Sequence, residues 1–279
     1  MFTKLTDLDS LENISKEIRL RILDIVFTTP GGHIGGCYSV TDILVTLYYG
    51  VLNHDPKNSK WADRDFLILS KGHCCLALYS ILEKCGYFDN TFLEQYSCNG
   101  GLLGGHPKKD DAPGIEATTG SLGHGLSIGS GIAWAHKMKK KSNRVFVVLS
   151  DGEMNEGSSW EALMFASQHK LDNLTIIIDN NKLESLDLTD NILSNEPLDK
   201  RLEAFGWSVK RVNGNNHGEI LTAINPELHQ EGKPIAIVAD TIKGKGVSFM
   251  ESNSMWHYRK LKPDEYKIAK KELKSNSDA

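Results

Sequence analysis

Two acidic turns in this chain have the residue types to hold a cation. Residues 144–149 are apolar after the first and run into Ser150-Asp151-Gly152, then residues 153–156 and a helical stretch. A carboxylate at the end of a buried strand, followed by a glycine and a helix N-terminus, suits a diphosphate bridged by a metal. Asp151 takes the metal, Gly152 lets the anion come close, and backbone N–H groups face it. One such turn alone says little. About thirty residues on, a second apolar run ends at Asp179-Asn180-Asn181-Lys182-Leu183, which brings an amide side chain and a free backbone carbonyl to the same sheet edge. Asp151, Asn181 and the Leu183 carbonyl then supply three hard oxygens, and phosphate and water fill the rest of an octahedron. That donor set suits Mg²⁺, with Ca²⁺ or Mn²⁺ as alternatives.

Such turns need a sheet to set them side by side. Apolar, β-type runs recur at 66–69, 144–149, 174–179, 207–212 and 234–239, and each reads as a strand covered on both faces. Helical stretches at 160–169, 198–205 and 219–224 alternate with them. The pattern predicts an α/β fold, an open and mostly parallel sheet with helices on both faces, in which ligands bind at the strand carboxyl ends. A capping box at Asp9 and Glu12 announces the first helix, which stops at Pro30. A second box, Ser39 with Asp42, opens another helix, so that His33 sits on a glycine-rich loop between the two. Residues 96–125 lack periodicity and read as a long functional loop. The stripe Gly125, Gly129, Ala133 predicts close helix packing. One domain is expected over 1–265, with a charged tail at 266–279 that frays from Lys270 onward.

A net charge of -4 gives no pull toward nucleic acid or an anionic membrane. The basic run 136–141 reads as the solvated last turn of a helix. No apolar run approaches the roughly 18 residues of a membrane span. The five cysteines are odd in number and lack a C-x-x-C pair, so a reducing cytoplasm is the expected setting. Cys74 and Cys75 are read as buried helix packing rather than a metal site. His54, His136, His169, His217 and His229 lack the glycine-rich or loop setting of the other histidines of interest and are read as structural.

The two turns at this separation resemble the thiamine-diphosphate motif, and their surroundings resemble transketolases. The landmarks, in order, are Gly31-Gly32-His33, Ser70-Lys71-Gly72-His73, Gly105-His106-Pro107, Thr118-Thr119-Gly120-Ser121-Leu122-Gly123, Ser150-Asp151-Gly152, Glu203-Ala204-Phe205-Gly206-Trp207, and Lys243-Gly244-Lys245-Gly246 ahead of Trp256-His257. The resemblance implies thiamine diphosphate and a divalent metal as cofactors. It implies that Asp151, Asn181 and the Leu183 carbonyl hold the metal and that Gly152, His73, Lys243 and His257 approach the diphosphate. Gly120, Ser121 and Leu122 would line the middle of the cofactor. His33, His106 and His257, with His73 beside them, would surround the reacting carbons, where imidazoles bind hydroxyls and relay protons. Glu156 takes the place of a buried carboxylate that links cofactor sites across the interface between chains.

The chain departs from the family at Ser150, at His124 where glutamine is usual, and at Tyr258 where glycine usually follows the histidine; the last two bear on substrate fit. The resemblance also implies a glutamate against the aminopyrimidine ring, carried in transketolases by a second domain. A partner subunit with the pyrimidine-binding and C-terminal domains is therefore expected, in an α2β2 assembly acting on sugars or sugar phosphates. The reaction implied is transfer of a two-carbon ketol unit from a ketose to an aldehyde. The alternatives are a carboligase of the deoxyxylulose-phosphate-synthase type, a non-catalytic cofactor-binding subunit, and metal-assisted phosphate hydrolysis, which would need more carboxylates than these turns offer.

Overall fold

Alternation along the apolar runs decides which face each side chain takes. The computed structural model describes residues 2–275. It contains β1 (Phe66–Leu69), β2 (Val145–Ser150), β3 (Leu174–Asn180), β4 (Ser208–Asn213) and β5 (Ile235–Asp240). All pair in parallel in the order β1-β2-β3-β5-β4. In β2, Phe146 and Val148 enter one hydrophobic cluster, while Val145, Val147 and Leu149 enter another. β5 divides in the same way, with Ile235 and Ile237 on the first side and Ala236 and Val238 on the second. Side chains on a strand point alternately to opposite faces, so the sheet has a core on each side.

The helices that close these cores follow the order of the chain. They are α1 (Leu8–Thr28), α2 (Ile34–Val45), α3 (Cys75–Cys85), the single turn α4 (Thr91–Glu94), α5 (Gly125–Met138), α6 (Gly157–Gln168), the turn α7 (Thr189–Ile192), α8 (Leu198–Ala204), α9 (His217–Ile224) and α10 (Pro263–Ser275). Buried residues of α1, α2, α3, α9 and α10 share the first cluster, and those of α5, α6 and α8 the second. Each fully buried Leu, Ile or Val contributes about 1.5–3 kcal/mol relative to exposure, and these clusters hold the sheet edge in place. Among the described residues no helix is long and apolar enough to cross a membrane.

Several local expectations are corrected. The cap of α1 is Asp7, whose carboxylate accepts from the Ser10 N–H at 2.9 Å, rather than Asp9. Ser39 and Asp42 lie inside α2 and turn inward: Ser39 donates to Asp179, and Asp42 forms a buried ion pair with Arg19 at 2.7 Å. β4 lies at the sheet edge and its side chains are partly exposed, so it is not covered on both faces. The small-residue stripe packs on the sheet rather than on a second helix; a Cβ at Gly129 would stand 2.4 Å from Val147 Cγ2. Through residue 275 the expected tail is α10, which buries Ala269 and Leu273 against the first core; residues 276–279 of that expectation lie outside the described residues.

Candidate functional site

The carboxyl ends of β1, β2, β3 and β5 open onto one cavity of about 210 Å³. Each strand contributes the residue or loop that follows it: Lys71 and His73 after β1, Asp151 and Gly152 after β2, Asn181 to Ser185 after β3, and Lys243 after β5. The long loop ahead of α5 adds Gly120 and Leu122, and the segment ahead of α10 adds His257. The expected metal ligands Asp151, Asn181 and Leu183 are thus brought together, as are Gly152, His73, Lys243 and His257.

Backbone geometry fixes the acidic corner. Asp151 Oδ1 accepts from the Gly152 N–H at 2.9 Å and Oδ2 from the Lys182 N–H at 2.6 Å. Burial, then the negative charge of Asp179, pushes the Asp151 carboxyl up to about 6. Asn181 donates from Nδ2 to Ser39 Oγ at 3.3 Å and accepts the Leu183 N–H on Oδ1 at 3.1 Å, which sets the orientation of its amide. The Leu183 carbonyl, expected to be free, accepts from Lys243 Nζ at 2.9 Å, as does the Glu184 carbonyl. An ammonium therefore already rests on the oxygens of this corner. Burial, then repulsion from Lys71, brings Lys243 down to about 8.

The same ammonium stands 3.1 Å from His257 Nδ1. A nitrogen facing an ammonium accepts, which leaves the His257 proton on Nε2. Burial, then the charge of Lys243, holds His257 at about 3, and burial holds His33 at about 4, so both rings are neutral near pH 7. The His33 ring lies 5.2 Å from those of His73 and His257 and 6.0 Å from that of His106. Four imidazoles thus converge on one approach to the cavity. The Nδ1 of His33 is buried and has no hydrogen-bond partner among the described residues, an unmet polar group that a ligand would satisfy. His106 is exposed and its ring covers Gly120, whose φ of +150° and 2.8 Å clearance from His106 Cδ2 leave no room for a Cβ.

Two expected residues stand apart. Ser121 is exposed and does not line the cavity, although Gly120 and Leu122 beside it do. Glu156 is exposed in the single chain, and the buried carboxylate of its turn is Glu153. Glu153 accepts from Ser70 Oγ and from the Gly123 N–H at 2.8 Å, which ties the ends of β1 and β2 to the long loop.

Sequence reasoning gave no role to Lys71 and Asp179. They form an ion pair of 2.5 Å with exposures of 1% and 0%, and Thr241 and Ser39 also donate to Asp179. A lysine directly after a buried strand was the available signal, because a buried cation requires a partner. Among the described residues no three His, Cys, Asp or Glu side chains gather as metal ligands, and this includes Cys74 and Cys75, which are buried in packing. A cation here would therefore rest on the mixed oxygen set of Asp151, Asn181 and Leu183. With those oxygens, Lys243 and neutral imidazoles on one cavity, the donor chemistry fits a metal-bound diphosphate with a polar, uncharged substrate beside it.

Comparison with known proteins gives a consistent result. The family model described as "Transketolase, thiamine diphosphate binding domain" matches residues 10–279. One of the two subunits of an apulose-4-phosphate transketolase from Actinobacillus succinogenes is 42% identical over 95% of this chain and 96% of its own length. A 6-deoxy-6-sulfo-D-fructose transketolase subunit from a Clostridium species is 39% identical over 94% of this chain and 96% of its own. The crystal structure of transketolase from Campylobacter jejuni superposes with a TM-score of 0.91 at 30% identity, covering 98% of this chain and 44% of that one. The chain thus spans less than half the length of that solved enzyme, but nearly the whole length of both subunits.

Proposed function

The chain belongs to the transketolase family, and on that premise we propose that it is the thiamine-diphosphate-anchoring subunit of a two-chain enzyme transferring a two-carbon ketol unit from a ketose to an aldehyde. The observation that carries this reading is the convergence of Asp151, Asn181, Leu183, Lys243, His73 and His257 on one cavity at the strand ends. Relatives of nearly equal length named as transketolase subunits support a partner chain and disfavour the deoxyxylulose-phosphate-type alternative. The partner would bring the pyrimidine-binding and C-terminal domains, in an α2β2 assembly.

In this reading Asp151, Asn181 and the Leu183 carbonyl hold Mg²⁺, and Gly152, His73, Lys243 and His257 reach the diphosphate. Gly120, Ser121 and Leu122 line the middle of the cofactor, which supplies the reactive carbon and the electron sink for carbon–carbon cleavage. His257 offers its Nε2 proton to the ligand. His33 and His106, with His73, bind the substrate hydroxyls and pass protons at the reacting carbons; being neutral, the rings of His33 and His257 can donate at one nitrogen and accept at the other. Glu156 is assigned to the interface between chains, where a partner would cover it. Five free cysteines suit a cytoplasmic setting.

The test uses the chain with its partner, thiamine diphosphate and Mg²⁺. Ketol transfer from apulose 4-phosphate, 6-deoxy-6-sulfo-D-fructose or xylulose 5-phosphate, with no turnover of pyruvate, is the expected result. Turnover of pyruvate and none of the ketoses would replace this reading with the decarboxylating one. Asp151→Ala and Asn181→Ala should each abolish metal-dependent cofactor binding, measured by calorimetry; unchanged binding in either variant would sink the metal assignment.

A further inference from the structure

The wall beside His33 is built by a separate segment of the chain. Arg259 N–H donates to the Gly32 carbonyl at 3.3 Å, an antiparallel bridge that sets the residues next to it, His33 and Tyr258, side by side. Gly31 makes the approach possible: its φ is +137°, and a Cβ there would lie 3.3 Å from the Arg259 carbonyl carbon. Arg259 is itself pinned, with its guanidinium 4.4 Å from the Trp256 ring centre and 3.2 Å from Glu265. Tyr258 is thus held by the backbone on both sides. Its ring centre is 4.8 Å from that of His33 at 63°, and the residue is 53% exposed.

Half-exposed aromatic rings on rigid backbone are uncommon without a contact to make. His33 already has His73, His106 and His257 around it, so Tyr258 narrows the remaining side of the approach to its buried, unpartnered Nδ1. A phenol ring presents a flat apolar face and one hydroxyl, and no positive charge for a phosphate. Resting on the functional reading above, we propose that Tyr258 is a specificity-determining residue: it forms the outer wall of the sugar channel and limits the length of the carbon chain that can lie over His33. Its removal should admit longer aldoses rather than alter handling of the ketol unit itself. One or two carbons in a confined site are worth about 10–200-fold in kcat/KM.

The experiment compares wild type, Tyr258→Gly and Tyr258→Phe in the complete complex, with whichever ketose donor supports transfer, using glycolaldehyde and ribose as acceptors. The expected result is that Tyr258→Gly raises the ribose-to-glycolaldehyde ratio of kcat/KM about tenfold, mainly through KM for ribose. Tyr258→Phe, which keeps the wall, should leave the ratio within about twofold of wild type. All three proteins should bind thiamine diphosphate equally by calorimetry. A ratio unmoved in Tyr258→Gly, or moved as far by Tyr258→Phe, overturns the inference while leaving ketol transfer intact. Absence of ketol transfer in the wild-type complex overturns the functional reading, and this inference with it.

Discussion

Asp151 is a carboxylate that must be charged to hold a metal, in surroundings that favour its proton. Burial and the nearby Asp179 raise it to about 6, above its ordinary value of 3.8. Below about pH 6 the metal must displace that proton, so Mg²⁺-dependent cofactor affinity should fall roughly tenfold per pH unit. Calorimetric titrations at about pH 7 and about pH 5 should differ accordingly; equal affinities would contradict the buried-acid account. Lys71 makes the converse point, as a cation raised above its usual range by Asp179 despite burial. Lys71→Met leaves Asp179 buried without its main partner and should cost about 3–5 kcal/mol in chemical denaturation. A cost below about 1 kcal/mol would mean that Ser39 and Thr241 alone satisfy Asp179. The metal-turn residues were legible because oxygen ligands at strand ends have a sequence form. The Lys71–Asp179 pair was not, because its partners come from strand ends 108 residues apart and only the tertiary fold pairs them.

At the scale of elements, the strands were readable to within a residue because β2, β3 and β5 are buried on both faces and their sequences are continuously apolar. β4 misled for the complementary reason: an apolar alternation marks a strand but does not say whether it lies at the edge. Helix starts were less legible. Ser39 and Asp42 have the composition of a cap, but their partners, Asp179 and Arg19, lie across the core, so side chains suited to a helix end serve as buried contacts. The C-terminal helix was hidden by its charge. Only Ala269 and Leu273 are buried, on a single stripe beneath lysines and glutamates. Leu273→Ala should therefore destabilise the chain by about 2–5 kcal/mol in thermal or denaturant unfolding, as a core truncation does. A change within about 0.5 kcal/mol, the range of a surface substitution, would return α10 to the status of a tail.

For the whole molecule, the sheet sets out half of an active centre: a metal corner, a diphosphate-sized cavity and a ring of imidazoles opening outward. The exposed positions of Glu156 and His106 in the single chain fit a surface that a second chain completes. The measurement that bears most directly on this is affinity purification of the tagged chain from its native cells, followed by a ketol-transfer assay with thiamine diphosphate and Mg²⁺. The account predicts a co-purifying partner, activity in the complex and none in the isolated chain; turnover by the isolated chain would contradict it.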